Sequence, residues 1–225
     1  TDLDIEALNF VEHVGQSPQE MQRHQQLIQQ LLDKTAGSYS VILSRTETDS
    51  AKISALWSLR KRAVGLLGQS MNGSRGIAFV EDSAVPTQNL VAYIRAFRQL
   101  LDEHHLDYGM YGHADAGILH VRPVLNMLQA SDRLLIRKIS DRVADLARQN
   151  GGVLWGEHGR GFRGEYSPLF FGPILYPALC QIKNTFDPHN LLNPGKLTTP
   201  QPAQPVIALD AISFRGELDE QISLP

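Results

Sequence analysis

The stretch from Tyr111 to His120, YGHADAGILH, restricts the fold more than any other part of this chain, because it demands a reversal of direction. Leu106, Tyr108 and Met110 lead in, the β-formers Ile118, Leu119 and Val121 lead out, and Ala114-Asp115-Ala116-Gly117 lies between as a turn. That register pairs His113 with Ile118 and Tyr111 with His120. His113 and His120 then fall on one face as diagonal neighbours, roughly 7–8 Å apart at Cα, near enough for both imidazoles to meet on one ion. A third ligand would complete such a site. The run Gly156 to Gly164, GEHGRGFRG, offers one, since glycines frame adjacent Glu157 and His158 and let backbone and ligand approach closely.

Three constellations compete for the chemistry. The first places His113, His120 and Glu157 on one divalent metal ion, where two neutral imidazoles and a carboxylate suit zinc, manganese or iron(II) and leave positions open for substrate. Neighbours on an extended chain point apart, which makes His158 a general base rather than a fourth ligand. The second is the run Gly159 to Gly164, which matches the dinucleotide pattern GxGxxG. That pattern needs a sustained helix after it, and Pro168 and Pro173 interrupt the residues that would form one. The third is positive charge that could face the site, from Arg60, Arg122 and Arg163. In an extended strand Arg122 shares the face of His120, and Arg163 lies in the glycine-rich loop. Each is either a clamp for an acidic substrate or half of a surface salt bridge.

The rest of the chain reads as alternating strands and helices. Residues 3–14 read as a strand. Ser17-Pro18-Gln19-Glu20 has the form of a capping box opening a helix to about Lys34, with Met21, Leu27, Ile28, Leu31 and Leu32 inward. Residues 39–43 form a short strand, and a helix runs from about Asp49 to Leu67. On that helix Ile53, Leu56, Trp57, Val64 and Leu67 share one apolar sector, and Arg60 falls in its middle. A guanidinium there either snorkels to water, pairs internally, or clamps a substrate carboxylate. Residues 77–82 read as a third strand. A helix to about His105 buries Leu90, Ile94, Phe97 and Leu101, and His104 and His105 form its solvated end. A further helix from Ser131 buries Leu135, Ile139, Val143 and Leu146. Val153 to Trp155 is a short strand, Ser167 to Thr185 a set of Pro-broken helical turns, and residues 186–188 and 193–196 two turns. From Thr198 the polar, Pro-rich sequence reads as a linker and tail through residue 225.

Composition excludes some partners. A net charge of −3 with a pI near 6.2 gives no reason to expect nucleic acid. No apolar run approaches the roughly 18 residues of a membrane span, and no leader opens the chain. Cys180 stands alone and suits burial in a reducing, cytoplasmic setting. The chain starts at Thr1 in sequence that already reads as folded, which suggests a piece of something larger.

Trp57-x-x-Arg60, GHADAGILH, GEHG and the closing FDPHNLLNPGK resemble, in order and spacing, the C-terminal substrate domain of FAD-linked oxidases of the vanillyl-alcohol-oxidase type. Among these the chain looks like the D-2-hydroxyacid dehydrogenases, over residues 1–197. It departs from the common form at Ala116-Gly117-Ile118, at Arg122 where Asn is usual, and at Val80 where a Lys precedes the final Asp of the strand. Those departures look most like a large bacterial branch associated with D-2-hydroxyglutarate, in which an iron-sulfur region follows the flavoprotein; the cluster would lie in the parent, outside this chain.

The resemblance implies His113, His120 and Glu157 as metal ligands and His158 as catalytic base. It implies Arg60 as a carboxylate clamp, with Arg122 or Arg163 available for a second carboxylate, and Asn193 and Lys196 near the flavin. It implies a small-molecule D-2-hydroxyacid as substrate, an FAD-binding half of the same parent as partner, and little FAD binding or turnover by this piece alone. The electron acceptor is left open. The expected fold is α+β, a mainly antiparallel sheet of ferredoxin-like halves covered by helices, with the metal and Arg60 on the face turned to the flavin domain. A metal-dependent hydrolase or lyase using the same His/His/Glu set, or a binding module without chemistry, are the rival readings.

Overall fold

The computed structural model describes residues 7–35, 44–66, 73–159 and 161–211. The chain divides into two units, Thr1–Arg60 and Lys61–Pro225.

The first unit holds α1 (Pro18–Thr35) and most of α2 (Ser50–Leu66). The Glu20 N–H of α1 donates to Ser17 Oγ at 3.2 Å. The return arm of the capping box lands one residue earlier than its usual place, with Glu20 Oε2 accepting the Gln16 N–H at 2.7 Å. Asp49 caps α2 by accepting the Lys52 N–H at 2.9 Å. Leu27 and Leu31, expected inward, are exposed, as are Leu56 and Trp57. Residues 7–14 form no strand, because a strand needs a neighbour for its backbone groups and no pairing engages them among the described residues. The expected strand over 39–43 and the helical residue Leu67 lie outside the described residues.

The second unit is built on the hairpin of β3 (Tyr108–His113) and β4 (Ile118–Leu125), in the register the sequence predicts: His113 opposite Ile118 and Tyr111 opposite His120. On the other edge of β4 run β1 (Arg75–Gly76) and β2 (Ser83–Ala84), both antiparallel to it. Val153 bridges Ala84 beyond them. Helix α3 (Leu90–Glu103) links β2 to β3, and α4 (Ala130–Gln149) links β4 to Val153. This is a βαββαβ unit with its first and last strands adjacent, the ferredoxin-like arrangement expected for one half.

The strand expected over residues 77–82 is a bulge instead. Seven steps from Gly76 to Ser83 oppose five from Val124 to Leu119. The Ile77 N–H still donates to Pro123 O and the Asp82 N–H to Leu119 O, so the ladder resumes on either side of the extra residues.

The core lies between sheet and helices. Tyr93, Phe97 and Leu101 of α3 and Ile139, Val143 and Ala147 of α4 pack with Leu119 and Val121 of β4 and with Leu154. A 3₁₀ turn at Gly161–Tyr166 leads into α5 (Ser167–Phe186), kinked at Gly172. Composition misleads beyond Thr198. Thr198, Thr199 and Leu209 are buried, Cys180 Sγ lies 3.0 Å from Thr198 Oγ1, and Leu209 packs on Leu125 and Ile136, so residues 198–211 are folded onto the domain rather than free of it.

Candidate metal and substrate site

Strand β4 delivers His120 inward, where it is 2% exposed, while His113 at the end of β3 stays part-exposed on the same face. Their ring centroids lie 5.8 Å apart. Glu157 arrives from the loop after Leu154, and its Oε1 is 3.0 Å from His120 Nε2, 3.7 Å from His113 Nε2 and 3.3 Å from His158 Nε2. Three imidazole nitrogens therefore surround one carboxylate oxygen. Asp82, His120, Glu157 and His158 each bring a donor atom within 4.8 Å of the others. His158 thus sits beside Glu157 and does not diverge from it, because the loop is bent and the alternation of an extended strand does not apply.

The bend has an identifiable cause. Asp82 adopts φ 80°, a conformation that favours glycine and tolerates Asp or Asn. There its Oδ1 accepts the Glu157 N–H and its Oδ2 the His158 N–H, both at 2.9 Å, while its carbonyl accepts the Gly156 N–H at 2.8 Å. A Cβ at position 156 would lie 3.1 Å from Asp82 Oδ1, tighter than an ordinary contact, so a side chain there would press on the carboxylate that holds the loop.

Behind His120 lies Glu81, 1% exposed. Arg122 holds it through Nε to Oε2 at 2.8 Å and Nη2 to Oε1 at 3.2 Å, and the Tyr111 hydroxyl donates to Oε1 at 3.2 Å. The hydrogen bond with Glu81, opposed by partial burial, raises the Arg122 pKa above the ordinary guanidinium range. Burial pulls His120 below the ordinary imidazole range, against Glu81, Glu157 and Asp82, whose charges favour the cation. Glu81, Asp82 and Tyr111 escaped the sequence reading. The available signal was the pair of consecutive acids ending the apolar run Ile77 to Val80, a costly place for charge unless it is used.

The remaining candidates are less concentrated. Arg60 belongs to the first unit, with its guanidinium 5.7 Å from the centre of the Trp57 ring, a cation–π contact that answers the anomaly of a charge on an apolar face. Arg163 is 3% exposed in the 3₁₀ turn, where its charge acts on Tyr93, whose hydroxyl burial pushes up to about 12. Behind the run Gly159 to Gly164 come 3₁₀ residues 161–166, with Arg163 off helical geometry, and then α5, which continues through a kink at Gly172 to Phe186, so Pro168 and Pro173 do not abolish the helix expected to fail there. Asn193 is exposed at φ 47°, and its carbonyl accepts the Lys196 N–H. That turn packs against the 3₁₀ segment at Gly164, and the hydroxyl of Ser167, the first residue of α5, donates to Leu197 O at 2.9 Å.

Residues 1–197 match the family model described as FAD linked oxidases, C-terminal domain. The chain is 43% identical to the D-2-hydroxyglutarate dehydrogenase of Escherichia coli (strain K12), over 99% of this chain and 22% of that protein. It is 46% identical to the D-2-hydroxyglutarate dehydrogenase of Pseudomonas putida, over 96% of this chain and 21% of that one. The D-lactate dehydrogenase of Archaeoglobus fulgidus is 36% identical over 52% of this chain and 26% of its own length. The chain thus spans about a fifth of the D-2-hydroxyglutarate dehydrogenases it matches. No helix among the described residues is long and apolar enough to cross a membrane.

Proposed function

Since the chain belongs to the family of FAD linked oxidase C-terminal domains, we propose that it is the substrate- and metal-binding part of a flavin-dependent dehydrogenase oxidising a D-2-hydroxyacid, D-2-hydroxyglutarate first, to the 2-oxoacid. The observation that carries the reading is the convergence of His113, His120 and His158 Nε2 on Glu157 Oε1. Around a cation with bonds of about 2.0–2.1 Å, tetrahedral ligand atoms lie roughly 3.3 Å from one another. Separations of 3.0 and 3.7 Å between Glu157 and the two hairpin histidines bracket that value. His113, His120 and Glu157 are the proposed ligands for zinc, manganese or iron(II); the donor atoms lying within 4.8 Å of one another are those of Asp82, His120, Glu157 and His158, with His113 outside that group.

A bound cation supplies the charge that makes the α-hydroxyl more acidic, and FAD, assigned to a separate FAD-binding part of the parent, supplies the hydride acceptor. The chain's residues do the rest. His158 Nε2 takes the hydroxyl proton, and Asp82 holds the loop that presents it. Arg60 is the proposed clamp for the α-carboxylate. Arg122 is the proposed partner of a second carboxylate. With Glu81 already matching its charge, it offers a directional donor more than net positive charge. Arg163 is a weaker candidate because of its burial. Asn193 and Lys196 are the proposed residues beside the flavin. An iron-sulfur region elsewhere in the parent and a cytoplasmic location complete the proposal. The hydrolase or lyase alternative would use the same His/His/Glu set, and it is the family match that favours the flavin reading over it.

The test is dye reduction by the full-length parent with a panel of D-2-hydroxyacids, with and without chelator, together with metal analysis. Chelator-sensitive oxidation that prefers a dicarboxylate is the expected result. Flavin-independent, zinc-dependent cleavage of an ester or amide would overturn it.

A further inference from the structure

We propose that Glu81 is the positioning residue that fixes His120 in the tautomer able to bind a cation, and that Arg122 and Tyr111 hold Glu81 in place for that task. The inference rests on the metal reading above. An imidazole that turns its Nε2 lone pair to a cation carries its proton on Nδ1, and out of water that N–H needs an acceptor. His120 Nδ1 is buried and has no hydrogen-bond partner within range. Glu81 Oε1 stands 3.7 Å from it. A movement of roughly 0.8 Å brings that pair to an ordinary N–H···O distance.

Glu81 is built to be such an acceptor. Its carboxylate is fixed by two guanidinium N–H groups and a phenol, so it neither rotates away nor enters the site as a ligand itself. The Tyr111 ring, 4.9 Å from the His120 ring, walls the imidazole from the same strand pair that supplies it. Oriented acceptors of this kind on the far nitrogen of a metal-bound histidine are common, and their loss lowers metal affinity about 10- to 100-fold. Arg122 then acts on the site through Glu81, in addition to the substrate contact proposed for it above.

The experiment loads the purified protein with zinc, measures affinity by competition against a chromophoric chelator, and reads the histidine tautomers by nitrogen-15 correlation spectroscopy. Zinc-loaded wild type is expected to show His120 bound through Nε2 with a downfield Nδ1–H. Glu81→Gln is expected to weaken zinc at least tenfold. Because Glu81→Gln leaves Arg122 without its carboxylate, the double variant Glu81→Gln/Arg122→Met removes the stranded cation and is expected to keep the fold and the same loss of affinity. Zinc bound within twofold of wild type by both variants, while Glu157→Gln loses it, overturns the role of Glu81 and leaves the metal reading intact. His120 bound through Nδ1 does the same. Failure of the wild type to take zinc at all overturns both.

Discussion

Asp82 carries the backbone of Glu157, its Oδ1 accepting that residue's N–H at 2.9 Å while Oδ2 accepts the N–H of His158. One carboxylate thus aims both a proposed metal ligand and the proposed base. Asp82→Asn keeps a residue that tolerates φ 80° but replaces one acceptor oxygen with a donor, leaving a part-buried N–H unmatched at a cost of about 1–3 kcal/mol. Metal affinity and kcat/KM of the parent are expected to fall at least tenfold, with a modest drop in Tm. Unchanged affinity in a calorimetric titration would show that the loop holds its shape without Asp82.

His113 and His120 approach the same Glu157 oxygen, yet one is part-exposed and the other 2% exposed. Chelation should empty the site and abolish dye reduction, and added zinc or manganese should restore it. His120→Ala, which opens a cavity as well as deleting a ligand, is expected to lower both metal content and Tm. His113→Ala should lower metal content alone, as measured by elemental analysis beside thermal denaturation.

The hairpin register, the α3 core positions and the shared face of His113 and His120 were legible because each rests on local periodicity or on a turn that admits few alternatives, whereas the approach of Glu157 is a long-range contact that only the family resemblance implied. Glu81 and Asp82 were not, because a bulge opposes seven steps with five, and no two-residue alternation announces which side chain turns inward. The burial of Thr198 and Thr199 was hidden for a different reason: a polar, Pro-rich stretch looks like a linker unless its long-range partner Cys180 is known. Arg60 shows the limit of helical patterning. It stands on an apolar sector as read, but that sector includes the Trp57 ring that receives it.

Arg122 and Glu81 form a two-point ion pair in which the carboxylate side chain is 2% exposed. Arg122→Ala strips the guanidinium from that buried carboxylate, to which the Tyr111 hydroxyl still donates, a loss of roughly 3 kcal/mol or more. For a chain of this size the expected fall in Tm is about 6–12 °C. Arg122→Lys keeps the charge but loses the fork and should fall between. If dicarboxylate preference disappears in Arg122→Ala but survives in Glu81→Gln/Arg122→Met, the substrate role assigned to Arg122 is wrong.

Asp187 has a pKa lowered to about 2, first by its hydrogen bond with Lys183 and then by the N–H groups of Leu191 and Leu192, against the upward push of desolvation. A folded-state pKa below the unfolded value of about 3.8 means that this contribution is complete above the unfolded value. It is lost as pH falls from there through about 2. The Tm difference between wild type and Asp187→Asn is therefore expected to be constant from pH 5 to 7 and to shrink below pH 4. A difference that grows on acidification would contradict the assignment.

Gly164 sits where a Cβ would fall 1.6 Å from Lys196 O and 2.7 Å from its carbonyl carbon, both backbone atoms with no flexible end to yield. Gly164→Ala must therefore push the closing turn away from the 3₁₀ segment, disturbing the Ser167 to Leu197 hydrogen bond. Overpacking against backbone costs about 1–3 kcal/mol or more. Faster hydrogen exchange across residues 195–199, with exchange in β4 unchanged, is the expected signature, and it should accompany reduced flavin reduction in the parent if Lys196 lies beside the flavin. Faster exchange with flavin reduction unaltered would keep the packing argument and remove Lys196 from the cofactor site.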